Sequence, residues 1–198
     1  MSSPSCWAER LTDQQQHLFV GRKHECRRFN EFLDTPQARL LHVRGIAGMG
    51  KSALLSRCLN MASQLRIPTL LLDGNRIAAD HQAIQTELQR QPQSRLIAFD
   101  AFERFATVEG WIREELLPCM PDAVRVIIAG RPPLATAWKD HLGLRSLTEE
   151  IQLDNLSRTA CERYLRLRRV PEKCVSAICE FAKGHPQALA ISADVVLA

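Results

Sequence analysis

Eight residues limit the architectures open to this chain more than any others: Gly45-Ile46-Ala47-Gly48-Met49-Gly50-Lys51-Ser52. They satisfy the spacing G-x-x-x-x-G-K-[ST], in which a glycine-rich loop wraps its backbone N–H groups around phosphate oxygens. A loop of this kind works only between a strand and the N-terminus of a helix, where the helix adds positive potential. The flanking sequence has that form. Leu40 to Val43 is a short apolar run suited to a strand, and Leu54, Leu55, Cys58, Leu59 and Ala62 recur at helical spacing through Arg66. The glycines let the chain approach phosphate closely, Lys51 is placed to reach the outer phosphates, and Ser52 to offer its hydroxyl to Mg²⁺. The motif predicts binding of a nucleoside triphosphate with Mg²⁺.

Four further apolar runs follow: Thr69 to Leu72, Leu96 to Phe99, Val124 to Ala129 and Glu150 to Leu153. Helical patterns at Ala79 to Leu88 and Glu109 to Leu117 lie between them. This alternation predicts an α/β P-loop NTPase fold, three layers α/β/α around a mainly parallel five-stranded sheet. After Leu153 the pattern becomes purely helical. Ser157 is a candidate N-cap for Arg158 to Arg169, Pro171 opens Glu172 to Ala182, and Pro186 opens a final apolar segment to Ala198. The expected division is therefore an N-terminal extension over 1–18, a nucleotide-binding domain over 19–154 and a small helical lid over 155–198. The apolar ending without a polar stop suggests a lid that continues in a longer protein or packs on a partner.

Composition closes off several classes. At 198 residues the chain holds one α/β domain and a small helical addition. No apolar run approaches a membrane span, and the first residues, Met1-Ser2-Ser3-Pro4-Ser5, lack the pattern of a secretory leader. A cytoplasmic protein without a membrane partner is expected. The seven cysteines contain no C-x-x-C pair, and spacings among Cys174, Cys179 and His185 do not match common zinc sites. The net charge of +4 is mild, and Arg163, Arg166, Arg168 and Arg169 read as a solvated helix face, so nucleic acid is not indicated as a partner.

Two strand ends supply the remaining chemistry. The run Leu96-Ile97-Ala98-Phe99-Asp100 closes on a carboxylate at the edge where a parallel sheet binds ligand, which makes Asp100 the candidate metal-side acid. Three residues on, Glu103 is a candidate to orient or deprotonate the attacking water. Val126-Ile127-Ile128-Ala129-Gly130 delivers Arg131 to the same edge, where a cation can sense the terminal phosphate, before Pro132-Pro133 fix the exit.

Taken together these segments resemble the STAND class of signal-transduction ATPases, the NACHT and NB-ARC relatives within the AAA+ lineage. Phe19-Val20-Gly21-Arg22 is similar to the family's adenine-contacting segment. Gly45 to Ser52, continuing to Ala53 and Leu54, is similar to its phosphate loop. Asp100-Ala101-Phe102-Glu103 resembles the NACHT acidic site, and Gly184-His185-Pro186-Gln187-Ala188-Leu189 the helical motif whose proline packs near adenine. The resemblance implies an ATP/ADP switch with slow ATPase activity, held off by ADP between sheet and lid and opened by ATP into a homo-oligomer. It places Phe19, Val20, Gly21, Arg22 and Pro186 around the base, and Lys51, Ser52, Asp100 and Arg131 at the phosphates and metal. Effector and sensor segments would lie outside this chain. Two departures stand out: Ala129-Gly130 replace a hydroxyl residue before Arg131, and Gln187 replaces a leucine, which is expected to loosen the lid. A DNA-handling AAA+ initiator or loader, and a nucleotide-binding module without hydrolysis, are the alternative readings.

Overall fold

The computed structural model describes residues 6–131 and 134–198; Met1 to Ser5 and the Pro132-Pro133 exit lie outside the described residues. Five strands form one sheet: β1 (Leu40–Arg44), β2 (Thr69–Asp73), β3 (Leu96–Asp100), β4 (Arg125–Gly130) and β5 (Thr148–Gln152). Their order is β2-β3-β4-β1-β5, and every neighbouring pair is parallel. β4 is thus inserted between the strand that enters the phosphate loop and the strand that ends at Asp100.

The strands sort their side chains by the two-residue period of a pleated sheet. Leu41, Val43, Leu96, Ala98, Ile127 and Ala129 face one core, against Phe29, Phe32, Leu54, Leu55 and Cys58. Leu40, Ile97, Phe99, Val126 and Ile128 face the other, against Ile84, Phe102, Phe105, Ile112 and Trp138. The inner strands are apolar on both faces because both are covered, whereas edge strand β5 (Thr-Glu-Glu-Ile-Gln) buries only Ile151.

The first core is covered by α2 (Lys23–Asp34) and α3 (Lys51–Gln64), the second by α4 (His81–Arg90) and the segments that follow β3. A further helix, α1 (Trp7–His17), precedes them. The stretch expected to be one helix over Glu109 to Leu117 is instead a single turn, α5 (Glu109–Trp111), running into a π-helical segment, Ile112–Leu116. Two short helices, α6 (Thr136–Asp140) and α7 (Leu142–Leu147), lead into β5, which starts two residues earlier than its apolar pattern suggests. The last three helices, α8 (Arg158–Leu167), α9 (Glu172–Ala182) and α10 (Pro186–Leu197), share their own core around Leu165, Val175, Ile178 and Leu189. Ser157 caps α8 through Ala160 N–H, as its position predicts. Among the described residues no helix is long and apolar enough to cross a membrane.

Candidate nucleotide site

The parallel sheet brings three strand ends to one edge. Gly45 follows β1 directly, Asp100 closes β3, and Gly130 closes β4 opposite Arg44 of β1, so Arg131 emerges beside the start of the loop. The loop turns through Gly48 (φ +77°) and Gly50 (φ +83°), left-handed conformations that a side chain disfavours. Lys51 opens α3 and curls back over the loop, its ammonium donating to the carbonyls of Gly45 (2.7 Å) and Ile46 (3.0 Å). Only 9% exposed, it is pushed below its ordinary pKa first by burial; Glu103 and Asp100 pull it up again and Arg131 adds to the depression. Lys51, Glu103, Arg131 and Asp100 therefore form one electrostatic cluster.

Within that cluster Glu103 and Arg131 are bound to each other. The Arg131 guanidinium lies 2.9 Å from Glu103 Oε1, and the Arg131 backbone N–H donates to Oε2 at 3.3 Å. Glu103 sits on a 3-10 turn, Phe102–Phe105, entered through Ala101 in a left-handed conformation (φ +50°). A Cβ on Gly130 would stand 3.4 Å from Phe102 Cβ and 3.6 Å from Glu103 Oε2, ordinary contact distances, so Gly130 lies directly against this turn. Asp100 is 8% exposed and accepts from Ala101 N–H at 2.8 Å.

The other side of the loop borders a cavity of about 420 Å³ between the sheet layer and the last three helices. Phe19, Val20, Arg22, Met49, Gly50, Ser52, Ala53 and Pro186 line it, which unites the segments expected around a base with the start of α3. Gly21 and Arg22 are consecutive left-handed residues, and Gly21 packs under Leu156 and Ala160, where a Cβ would meet them at 3.0 and 3.3 Å. Arg22 acts as a strut rather than only a wall. Its buried guanidinium donates to Met49 O (3.1 Å) and pairs with Glu25 (2.9 Å).

Several lining residues escaped the sequence reading. Gln15, Gln16 and Leu18 come from α1 and its end, a segment expected to be only an extension, and Tyr164 and Leu156 come from the helical part. The signal for Tyr164 was present in the apolar face of α8; none marked the glutamines. The strongest omission is His185. Its Nδ1 accepts from Ala188 N–H (3.3 Å), capping α10, which leaves the proton on Nε2 to donate to Ala47 O at 3.0 Å. Gln187 N–H donates to Gly48 O at 3.2 Å. A Cβ on Gly48 would lie 2.3 Å from Gln187 Oε1, 2.6 Å from His185 Cε1 and 2.7 Å from Gln187 Cβ. Gln187, expected to loosen the lid, places its backbone and side chain directly on the phosphate loop.

The donor set suits a hydrated Mg²⁺ rather than a protein cage. Among the described residues no group of three or more His, Cys, Asp or Glu could enclose a metal. One strand-end carboxylate and one hydroxyl on a phosphate loop is the set used when phosphates and water supply the other ligands.

No protein-family model matches the chain, and no curated protein matches it in sequence. Solved structures are similar in fold. Domain III of the replication initiation protein DnaA from Thermotoga maritima superposes with a TM-score of 0.67 at 14% identity, over 87% of this chain and 82% of that one. A point variant of RuvB from the same organism gives 0.62 at 14% identity, over 96% of this chain and 63% of its own. PCH-2 of C. elegans gives 0.63 at 11% identity, over 94% and 65%. This chain spans under two thirds of the RuvB and PCH-2 chains. The likeness is one of fold: a P-loop NTPase-type parallel α/β sheet followed by a helical part.

Proposed function

We propose that this chain is an ATP/ADP-binding switch with slow ATPase activity, the nucleotide-binding module of a STAND-type signal-transduction protein. Residues 19–154 form its nucleotide-binding domain and 155–198 its lid, with effector or sensor segments elsewhere and a nucleotide-dependent homo-oligomer as its active form. The observation that carries the reading is the seating of the lid: His185 and Gln187 hold the outer carbonyls of the same loop whose N–H groups would hold phosphate. A lid in contact with that loop can report what the loop contains, which a switch needs and a plain hydrolase does not.

Phe19, Val20, Arg22 and Pro186 would enclose the base, and Gly45, Ile46, Ala47, Gly48, Met49, Gly50, Ser52 and Ala53 the phosphates. Ser52 and Asp100 would hold Mg²⁺, which when bound neutralises phosphate charge. Lys51 would leave the Gly45 and Ile46 carbonyls for the outer phosphates, and Glu103 would orient water and accept its proton. Arg131 would follow the terminal phosphate.

A second reading, a DNA-handling ATPase, is favoured by the fold likeness to RuvB and DnaA, one solved form of which is bound to AMPPCP and single-stranded DNA. One preparation separates the two. The chain is purified without added nucleotide and denatured, and the released material is identified by chromatography, with Lys51→Ala as control. Stoichiometric ADP that Lys51→Ala lacks is the expected result. An empty site with fast turnover that rises further with DNA would favour the second reading. Equal nucleotide in Lys51→Ala would remove the loop assignment itself.

A further inference from the structure

At the opposite edge of the sheet from the phosphate loop lies a second polar cleft, of about 540 Å³, lined by Arg66, Arg95 and Arg125 and by no carboxylate. The backbone places the three arginines on adjoining segments. Arg95 N–H donates to Pro68 O (2.8 Å), two residues beyond Arg66, and Arg125 N–H donates to Arg95 O (2.9 Å). All three residues line this one cleft.

Their hydrogen-bonding capacity is largely unspent. Arg125 gives one bond to Thr35 O (3.1 Å) at the end of α2 and lies over the Phe32 ring, yet its Nε is buried without a partner. Among the described residues, the side chains of Arg66 and Arg95 make no hydrogen bond or ion pair. Some arginines elsewhere on the molecule are matched, as Arg39 is with Asp122 and Arg166 with Glu172, and others, such as Arg169, are not. Three like charges held together without an acid repel one another, and a buried donor without an acceptor is costly. Neutralising the carbonyl ends of α2 and α3 explains only part of this arrangement, because Arg125 alone reaches such a carbonyl.

We infer that this cleft is an anion site for a compact ligand with at least two negative charges, of the phosphate-ester or pyrophosphate class. Planar guanidiniums match that chemistry through paired N–H donors, and Arg125 is held at the cleft by its contacts with Phe32 and Thr35. The site does not rest on the nucleotide reading.

The test is calorimetric titration of Lys51→Ala with sodium pyrophosphate at constant ionic strength, which silences the phosphate loop. One saturable site is expected. Adding Arg66→Gly and Arg95→Gln should weaken it at least about tenfold, each lost charge-assisted contact being worth that much or more. Arg66 has a left-handed backbone (φ +60°) that glycine adopts freely, and Arg95 is exposed, so this variant is expected to fold. In the otherwise unaltered chain, the same two substitutions should abolish one class of pyrophosphate site. No binding to Lys51→Ala, or binding that ignores the arginines in both backgrounds, overturns the proposal. Arginine-dependent binding of single-stranded DNA without pyrophosphate binding overturns it too, since the surface is then a track for a phosphodiester chain.

Discussion

A carboxylate that is to take a proton from water needs a free lone pair in the right direction, and both oxygens of Glu103 face Arg131. With the Arg131 side chain 63% exposed, their ion pair contributes at most about 1 kcal/mol, little enough for a terminal phosphate to displace it. A phosphate that draws Arg131 away would free Glu103 at the moment its substrate arrives. Glu103→Gln is therefore expected to keep ATP and ADP affinity within about twofold, while slowing single-turnover phosphate release by about a hundredfold or more. Unchanged turnover would remove Glu103 from the chemistry. Both residues were legible in sequence, each from the end of its own strand. Their pairing was not, because they lie 28 positions apart and meet only through the order in which β3 and β4 are laid down.

The strands β1, β3 and β4 were legible almost to the residue, because burial on both faces gives continuous apolar runs. Of the helices that went unread, α6 and α7 are short, and α1 and α2 are polar over most of their length, α2 showing its core face through Phe29 and Phe32, with Cys26 and Leu33 beside them. The π-helical segment has no sequence mark; Ile112 is fully buried within it and Trp111 stacks on His81 (4.4 Å). Helix ends carry a further regularity. α3 and α8 both finish with an arginine in the left-handed position, Arg66 and Arg169 (φ +60° each), and the same pair of closing bonds: Ile67 N–H to Ala62 O, and Val170 N–H to Leu165 O, both 3.0 Å. Glycine is the usual choice there, and a side chain costs about 1–2 kcal/mol, offset in part by the lower chain entropy of arginine when unfolded. Arg169 is exposed and has no side-chain partner among the described residues. Arg169→Gly is expected to stabilise by about 0.5–1 kcal/mol and to raise the calorimetric Tm by about 1–4 °C. A lower Tm would mean that its charge at the α8 carboxyl end outweighs the strain.

At the scale of the whole molecule, two structural joints tie the three-helix part to the rest of the chain. Gly184 (φ +83°) presses against the connecting segment so closely that a Cβ would stand 2.3 Å from Leu156 O, and Leu156 N–H donates to Gly184 O at 2.8 Å. One residue on, His185 both caps α10 and holds Ala47 O, which ties the loop to the first turn of that helix. If the lid retains nucleotide through this contact, His185→Ala should speed dissociation of a fluorescent ADP analogue about tenfold, one hydrogen bond's worth. That change also removes a helix cap worth about 1 kcal/mol, so loss of lid stability would give the same result. Asparagine separates the two causes, because it is among the best N-caps but is too short to reach Ala47. Fast dissociation in His185→Asn as well as His185→Ala would assign the effect to the contact with the loop. Recovery of the parent rate in His185→Asn would assign it to the cap, and parent rates in both would mean that the lid touches the phosphate loop without controlling what it holds.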